Sequence, residues 1–325
     1  MSLKRLVGLV IALLVGGAVL APVGLGNTTR AAAASGPCQT MSLGATHYQH
    51  VIWVWMENQP YSNIIGSPDT PYINNLAGSC GLATNYHNIS HPSLPNYIAA
   101  TSGLGLGSLG TFSGDCNPSR HCSTSAASIF GQGETWKAYE ESMGSSCARQ
   151  NAGQYAVRHN PPPYYRSLRF CKPKRVVRHG PRVSFDVPYG QLATDLTFNN
   201  LPAFSFITPN LINDMHDGST AQGDAWLANN LPTIFNSAAY QTGHVVVLVT
   251  WDEGEGGSSN DCANNISDGG CHVATIVASP STPAGAQSGT LFNHYSLLRT
   301  SEEILGLPLL GQAAGAASMG APFNL

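Results

Sequence analysis

The sequence predicts an α/β fold with a mostly parallel central sheet covered by helices on both faces. The first observation is that residues 50–58 and 245–253 each contain a continuous apolar run, which is typical of strands buried on both faces. The second is that strand-type and helix-type segments alternate along the chain, as they do in parallel sheets. The third is that both runs end on polar side chains, where open α/β sheets bind their ligands.

Between these two strands, local patterns predict the next elements in order. Short helices are expected at residues 71–82 and 93–101, followed by a Gly- and Ser-rich stretch from 103 to 122 that lacks any period and is predicted as loop. Three apolar residues at helical spacing then predict a helix over residues 125–143. These residues are Ile129, Trp136 and Tyr139.

The second half of the chain continues the alternation. Residues 203–210 form an apolar run that predicts a strand, and an amphipathic pattern predicts a helix over residues 224–237. A further strand is expected at residues 273–279 and a closing helix at 294–305. The strand at 203–210 delivers several polar side chains to its end. They are Asn210, Asn213, Asp214, His216 and Asp217.

Residues 1–34 have the pattern of a secretory signal peptide. Lys4 and Arg5 precede an apolar stretch that is followed by small residues, the order typical of such segments, with cleavage expected near Ala34. An uncleaved anchor is the alternative, although one proline and five glycines in the stretch disfavour a stable span. We therefore predict an exported protein, secreted or at the bacterial cell envelope, without stable membrane association after cleavage.

All eight cysteines lie beyond the predicted cleavage point, as expected for an oxidising compartment. Pairing by the shortest loops predicts four disulfides. They are Cys38–Cys80, Cys116–Cys122, Cys147–Cys171 and Cys262–Cys271. Many other connectivities are compatible with eight cysteines. A zinc site is a competing interpretation, which the lack of any CxxC pair disfavours.

Residues 35–325 are predicted to form a single domain with one irregular basic insertion at about 158–182. Only 10% of all residues are charged and the net charge is −3, so no overall field attracts nucleic acid. Eight of the fifteen Lys and Arg residues nevertheless fall in this insertion, where prolines exclude a regular helix. The segment is either an electropositive lip that attracts an anion or a solvated loop that offsets acidic neighbours.

Four side chains at the ends of the two apolar strands form the first candidate site. Glu57 and Asn58 follow the first strand, and Asp252 and Glu253 follow the second. If the strands are neighbours, the three carboxylates converge and repel one another unless a cation or protons relieve them. Alternatively, each pair on its own is an ordinary turn or helix cap.

Ser93 is the candidate nucleophile. It follows Pro92 at a predicted helix start, where free backbone N–H groups and the positive end of the helix dipole favour phosphate. A serine placed there beside a divalent cation can lose its proton and attack phosphorus. The simpler alternative is that Ser93 only caps the helix.

Four motifs together resemble the bacterial phosphoesterase family, which includes secreted acid phosphatases and phospholipases C. The motifs are Met56-Glu57-Asn58, His91-Pro-Ser-Leu-Pro-Asn-Tyr97, Thr208-Pro-Asn-Leu-Ile-Asn-Asp-Met-His-Asp217 and Thr250-Trp-Asp-Glu253. They occur in the family order, and the resemblance extends from about residue 50 to 307. It implies a fold similar to the alkaline phosphatase superfamily, a three-layer α/β/α sandwich.

The resemblance also implies a role for each matching residue. Ser93 resembles the nucleophile that is transiently phosphorylated, and His216 resembles a residue that binds an oxygen or protonates the leaving group. The implied metal ligands are Glu57, Asn58, Asp252 and Glu253. The implied substrate-binding residues are Asn96, His159, Asp217 and His272. His159 opens into the basic insertion, and both His272 and His294 have an ordinary core or capping role as an alternative.

A metal-dependent phosphoesterase is the function that the resemblance implies. Carboxylate and amide oxygens suit one hard divalent cation such as calcium, magnesium or manganese, while several nearby histidines keep zinc open. We expect hydrolysis of small phosphomonoesters, in the manner of acid phosphatases. The alternatives are a phospholipase C that acts on phospholipid head groups and, in a different class, a non-catalytic envelope protein that binds a phosphate-bearing polymer.

Overall fold

The computed structural model describes residues 36–168, 185–256 and 260–325. Within these ranges a single mixed sheet runs through the protein. Its strands are β1 (His50–Met56), β2 (Gly81–His87), β3 (Trp136–Glu140), β4 (Asp186–Pro188), β5 (Phe204–Thr208), β6 (Val245–Trp251), β7 (His272–Ala278), β8 (Ala286–Ser288) and β9 (Phe292–Asn293). The helices are α1 (Tyr61–Ile64), α2 (Pro71–Ser79), α3 (Ser93–Ser102), α4 (Gln191–Thr197), α5 (Thr220–Phe235), α6 (Ala238–Gln241), α7 (His294–Leu305) and α8 (Gly320–Phe323).

The strand order is β4-β3-β5-β1-β6-β7-β2-β8, with β9 beside β2. The first five strands of this order are parallel to one another, and β7 is antiparallel to both of its neighbours. The sheet is therefore mostly parallel, as the sequence predicts. Because β1 lies between β5 and β6, the carboxyl ends of these three strands meet at the middle of one sheet edge.

Helices cover both faces of the sheet and complete the predicted three-layer sandwich. On one face α3 packs against α7, and α7 contacts β1, where Trp53 donates a hydrogen bond from Nε1 to Ser301 Oγ at 2.8 Å. A second group consists of α2, α5 and α6, which pack against one another and against β2, β7 and β6. Every residue of β6 is buried, which explains why its sequence is continuously apolar.

One predicted element is wrong: residues 125–143 do not form a helix. The structure has a short 3-10 turn at Ile129–Gly131 and then the strand β3. Gly131 and Gly133 interrupt any helix at this point, and residue 133 has a left-handed φ of 111°. The large side chains therefore enter the core from a strand that pairs with β5.

The other differences concern boundaries and strands without an apolar signature. The helix predicted at 71–82 ends at Ser79, because residues 81–87 form β2, and the helix predicted at 224–237 begins earlier, at Thr220. A capping box fixes that earlier start, since Ser219 and Gln222 bond each other's backbone N–H groups. The helix at 294–305 has its predicted bounds.

Three of the predicted disulfides are present. They are Cys38–Cys80, Cys116–Cys122 and Cys262–Cys271. The predicted partner of Cys147 is Cys171, which lies outside the described residues, as do the predicted signal peptide and most of the basic insertion. Among the described residues, no helix has the length and apolar character needed to span a membrane.

Candidate active site

The two polar pairs at the strand ends converge on one spot, as the sequence predicts. In the parallel register of β1 and β6, Met56 lies opposite Trp251, so the residues after them are neighbours. The backbone N–H of Asn58 donates to Asp252 Oδ1 at 3.0 Å. Asn58 adopts a left-handed φ of 55°, a conformation that asparagine tolerates better than most residues. This turn places Glu57 and Asp252 side by side, and both are fully buried.

Ser93 is the first residue of α3 and lies against two of these carboxylates. Its Oγ donates to Glu57 Oε2 at 3.0 Å and lies 3.5 Å from Glu253 Oε1. The serine is buried and makes no side-chain cap of its helix, contrary to the simpler alternative for it. The next N–H group, that of Leu94, donates to Asp115 Oδ1 at 2.9 Å. The start of the helix therefore directs the serine hydroxyl towards Glu57 and Glu253, and the hydroxyl does not cap the helix.

Asn96 holds the loop that precedes the serine. Its Oδ1 accepts hydrogen bonds from the N–H groups of Ile89 and Ser90 at 2.9 and 3.0 Å, and its Nδ2 donates to the carbonyl oxygen of Ser90 at 2.7 Å. The same Nδ2 lies 3.5 Å from Glu253 Oε2. Asn96 is thus beside the nucleophile candidate, with most of its hydrogen-bonding capacity used to shape the loop.

Four buried carboxyl groups form the centre of the site, which we call the acidic cluster. They are Glu57, Asp214, Asp252 and Glu253. Burial raises the pKa of each, and repulsion between members of the cluster adds to this effect for Glu57, Asp214 and Asp252. For Glu253, burial and then repulsion from Asp115 raise the pKa to about 8. Tyr97, which lies one helical turn after Ser93, donates its hydroxyl to Glu57 Oε1. Asp252 Oδ2 is buried and has no hydrogen-bond partner among the described residues.

Two histidines contact the acidic cluster. His159 lies between two of its members, with Nε2 at 3.3 Å from Glu57 Oε1 and Nδ1 at 3.1 Å from Asp214 Oδ2, and its ring stacks on Tyr97. Burial lowers the pKa of His159 well below its usual range. His91 has Nδ1 at 2.7 Å from Glu253 Oε2. The roles of His91 and Tyr97 were not predicted, although both belong to the Ser93 motif.

His216 and Asp217 lie at the entrance to the cluster together with Arg158. His216 Nδ1 is 2.7 Å from Asp217 Oδ1, and Nε2 is 2.9 Å from Nη2 of Arg158. A guanidinium group can only donate, so Nε2 accepts and the ring proton sits on Nδ1. In this arrangement Nε2 carries no proton to give. Protonation of a leaving group by that atom requires that Arg158 move away and that Nε2 then take up a proton.

The remaining histidines have other surroundings. His272 stacks on Tyr61 with ring centroids 4.3 Å apart and on His87 at 5.2 Å, and its Nε2 is 3.1 Å from the carbonyl oxygen of Thr84. These contacts form an aromatic group separate from the acidic cluster. His294 is buried, with Nε2 at 2.7 Å from the backbone carbonyl of Asp252, and therefore supports the turn that carries the cluster.

The donor set fits a divalent cation. Four buried carboxyl groups with raised pKa values and an unpartnered Asp252 oxygen are relieved by positive charge. Donor atoms of Glu57, His159 and His216 also lie within 4.8 Å of one another, a group that differs from the predicted ligand set. A second group includes His91 with Cys262 and Cys271, but those cysteines form a disulfide and cannot bind a metal as thiolates.

Comparisons with known proteins identify the family of this chain. The model of the Phosphoesterase family matches residues 55–308. The phosphatidylinositol-3-phosphatase of Mycobacterium tuberculosis is 31% identical over 273 residues, which cover 83% of this chain and 81% of that protein. The acid phosphatase of Aspergillus fumigatus is 28% identical over 80% of this chain, and the phosphate-repressible acid phosphatase of Penicillium chrysogenum is 28% identical over 82%. The chain spans 55% and 61% of the lengths of these two fungal relatives.

Solved structures show the same fold at low sequence identity. A protein of the alkaline phosphatase superfamily from Vibrio parahaemolyticus superposes with a TM-score of 0.52 at 13% identity, over 86% of this chain and 72% of that one. Murine ectonucleotide pyrophosphatase/phosphodiesterase 5 has a TM-score of 0.55 at 10% identity, over 81% of this chain and 96% of that one. The likeness establishes the alkaline-phosphatase-like α/β architecture.

Proposed function

The chain belongs to the phosphoesterase family and is a hydrolase that acts on phosphate esters; from this premise we propose that it hydrolyses phosphomonoesters through a phosphoserine on Ser93, with the help of one divalent metal ion. The observation that carries the proposal is the hydrogen bond from Ser93 Oγ to Glu57 Oε2 at 3.0 Å. It places a buried hydroxyl at the start of a helix and directs its proton to a carboxylate. If Ser93 only capped its helix, its hydroxyl would bond to backbone N–H groups of the helix and not to Glu57.

The reaction follows from the positions of these groups. Ser93 Oγ loses its proton and forms a bond to phosphorus while the bond from phosphorus to the leaving oxygen breaks, and the departing alcohol takes up a proton. Water then attacks the phosphoserine, which releases inorganic phosphate and restores the hydroxyl. We propose that, after Arg158 has left Nε2 of His216, this nitrogen takes up a proton from solvent and gives it to the leaving oxygen.

We propose that Glu57, Asn58, Asp252 and Glu253 hold the cation. When bound, it supplies positive charge that lowers the pKa of the serine hydroxyl and stabilises the oxygens of the transferred phosphoryl group. The oxygen-rich set favours calcium, magnesium or manganese. Zinc stays a candidate because His159 and His216 offer nitrogen donors beside Glu57.

The proposed substrate-binding residues have unequal support. Asn96 lies beside the nucleophile candidate, and His159 and Asp217 contact members of the site directly. For His272 the support is the family resemblance alone, because its contacts lie in the aromatic group with Tyr61. The contribution of each of these four residues to substrate binding is therefore best measured with a separate single substitution.

The substrate class is proposed from the relatives. Their names describe phosphatases, so we expect this chain to cleave the terminal phosphate of a monoester. The mycobacterial relative makes a phosphoinositide the second candidate substrate, still as a monoester. A phospholipase C activity stays as an alternative that a diester assay tests. A purely polymer-binding role is disfavoured, since the family is enzymatic.

We also propose that residues 1–34 are a secretory signal and that the remaining 291 residues act outside the cytoplasm. The support is the three disulfides, which are typical of oxidising compartments. Edman sequencing of the exported protein should start near residue 35. If the protein recovered from the culture medium still carried residues 1–34, the proposal would be contradicted.

The test of the catalytic proposal is hydrolysis of an aryl phosphate by the wild type, Ser93→Ala and the control Ser102→Ala. Ser102 lies on the same helix and donates to the carbonyl oxygen of Ile98, away from the cluster. We expect Ser93→Ala to lose at least about 1,000-fold in kcat, Ser102→Ala to stay close to wild type, and chelated enzyme to recover with added divalent metal. Mass spectrometry of acid-quenched enzyme should find phosphate on Ser93. Full activity in Ser93→Ala would overturn the proposal.

A further inference from the structure

Arg158 lies in the candidate active site, and the proposed reaction requires only that it leave His216. It precedes His159 in a short 3-10 turn, and its side chain is 18% exposed. Its Nη2 contacts Nε2 of His216 at 2.9 Å, and its Nε lies 3.8 Å from a carboxylate oxygen of Asp115. Asp115 already accepts the N–H of Leu94. Within the described part of the chain the guanidinium makes one hydrogen bond and one longer ionic contact, so several of its N–H groups are available to a ligand there.

The other described cations near the sheet are occupied elsewhere. Lys137 pairs with Asp195, and Arg299 pairs with Glu303 on the surface. Arg149 donates to the carbonyl oxygen of Pro163. Arg158 is therefore the permanent positive charge that borders the acidic cluster within the described part of the chain. Its field opposes the rise in the pKa values of Glu253 and Asp214, which places it within electrostatic range of both.

We propose that Arg158 determines the preference for phosphomonoesters over phosphodiesters: its guanidinium leaves His216 and binds the free oxygens of a monoester phosphate held at Ser93. The proposal rests on the proposed function above. A monoester dianion offers three non-bridging oxygens and two negative charges, whereas a diester offers two oxygens and one charge. The planar fork of arginine binds two oxygens at once, so the dianion offers it three such pairs and twice the charge, whereas the diester offers a single pair.

The contact between Arg158 and His216 gives this exchange a further consequence. While Arg158 donates to Nε2, that nitrogen is unavailable to a leaving group. When the guanidinium moves to the phosphate, Nε2 becomes free in the same step and can take up the proton that the leaving oxygen needs. Binding of a dianionic phosphate therefore prepares His216, and an anion that engages Arg158 weakly leaves the histidine occupied.

The test compares an aryl phosphate with a bis(aryl) phosphate in Arg158→Gln, Arg158→Lys and the control Arg299→Gln. We expect Arg158→Gln to lose roughly 100-fold or more in kcat/KM on the monoester and no more than about threefold on the diester. Arg158→Lys keeps the charge without the fork and should lose roughly tenfold on the monoester. Arg299→Gln removes the same charge far from the cluster and should leave the ratio unchanged.

A binding measurement makes the test independent of diester turnover. Competitive inhibition by inorganic phosphate should weaken at least about tenfold in Arg158→Gln, whereas inhibition by dimethyl phosphate should stay constant. Thermal unfolding checks that each variant folds, and Arg158→Lys carries the test if the glutamine variant does not. Parallel losses on monoester and diester, with equal weakening of both inhibitors, would overturn the role of Arg158. An active Ser93→Ala would instead overturn the proposed function itself.

Discussion

Replacing Glu253 by glutamine should change how the stability of the metal-free protein depends on pH. Glu253 is 7% exposed, and burial, with repulsion from Asp115, raises its pKa from 4.5 to about 8. A raised carboxyl pKa favours the folded state below pH 4.5, and this contribution is lost as pH rises through about 8. The interval from 4.5 to about 8, at about 1.4 kcal/mol for each pH unit, corresponds to roughly 5 kcal/mol.

The measurement is urea unfolding of wild type and Glu253→Gln in chelator at several values between pH 4.5 and 8. Other buried groups also titrate: Glu302, whose pKa rises to about 7, acts in the same direction, and His294, whose pKa falls to about 4, acts in the opposite one. The difference between the two proteins removes these shared contributions. We expect wild type to lose several kcal/mol relative to Glu253→Gln as pH rises, and to regain it with divalent metal.

The control for this experiment is Glu303→Gln, which changes an exposed carboxylate paired with Arg299. Its stability should follow that of wild type at every pH. If the difference between wild type and Glu253→Gln were constant across the range, or if wild type gained stability relative to Glu253→Gln with rising pH, Glu253 would not be held as a buried, desolvated carboxyl group. The reasoning about the acidic cluster would then be refuted.

Three other predictions concern stability and activity. Gly103→Ala should destabilise the protein by about 1–3 kcal/mol or more. The φ of residue 103 is 69°, and an added Cβ would lie 2.2 Å from the carbonyl oxygen of Leu310. A lower melting temperature would report this loss. Tyr97→Phe should lower kcat roughly tenfold or more by removing a donor from Glu57, with little change in KM. Cys38→Ala with Cys80→Ala should cost about 2–5 kcal/mol in urea unfolding while activity at low temperature persists, since the disulfide closes a 42-residue separation.

The fold was predictable where both faces of an element are buried or where its ends are capped. β1 and β6 can be recognised in the sequence as apolar runs, because α/β packing covers both faces of each strand. β3 was missed because Lys137 and Glu140 lie inside the strand and interrupt its apolar pattern. Contacts with residues distant in sequence allow these charged side chains to lie there. Lys137 is neutralised by Asp195, 58 residues further along the chain, and no local pattern contains that pairing.

The site was predictable to the extent that strand ends specify it. Glu57 and Asp252 could be placed together because parallel neighbours end at one edge. Tyr97 could have been found as well, since it lies one helical turn from Ser93 and therefore on the same face. His159 gives no such indication: it comes from an irregular turn that reaches the cluster through tertiary packing alone.

The charges of the site imply a competition between protons and metal. Glu57, Asp214, Asp252 and Glu253 are buried together, while Arg158 is one positive charge at their border. Full ionisation therefore needs more positive charge than the described residues provide, and either bound protons or a divalent cation can supply it. Because the same oxygens would accept both, binding of the proposed metal should release protons, and its affinity should fall as pH falls. Under the proposed metal-dependent reaction, any activity in acid therefore requires that the cation bind tightly enough to outcompete protons at carboxyl groups whose pKa values burial has raised.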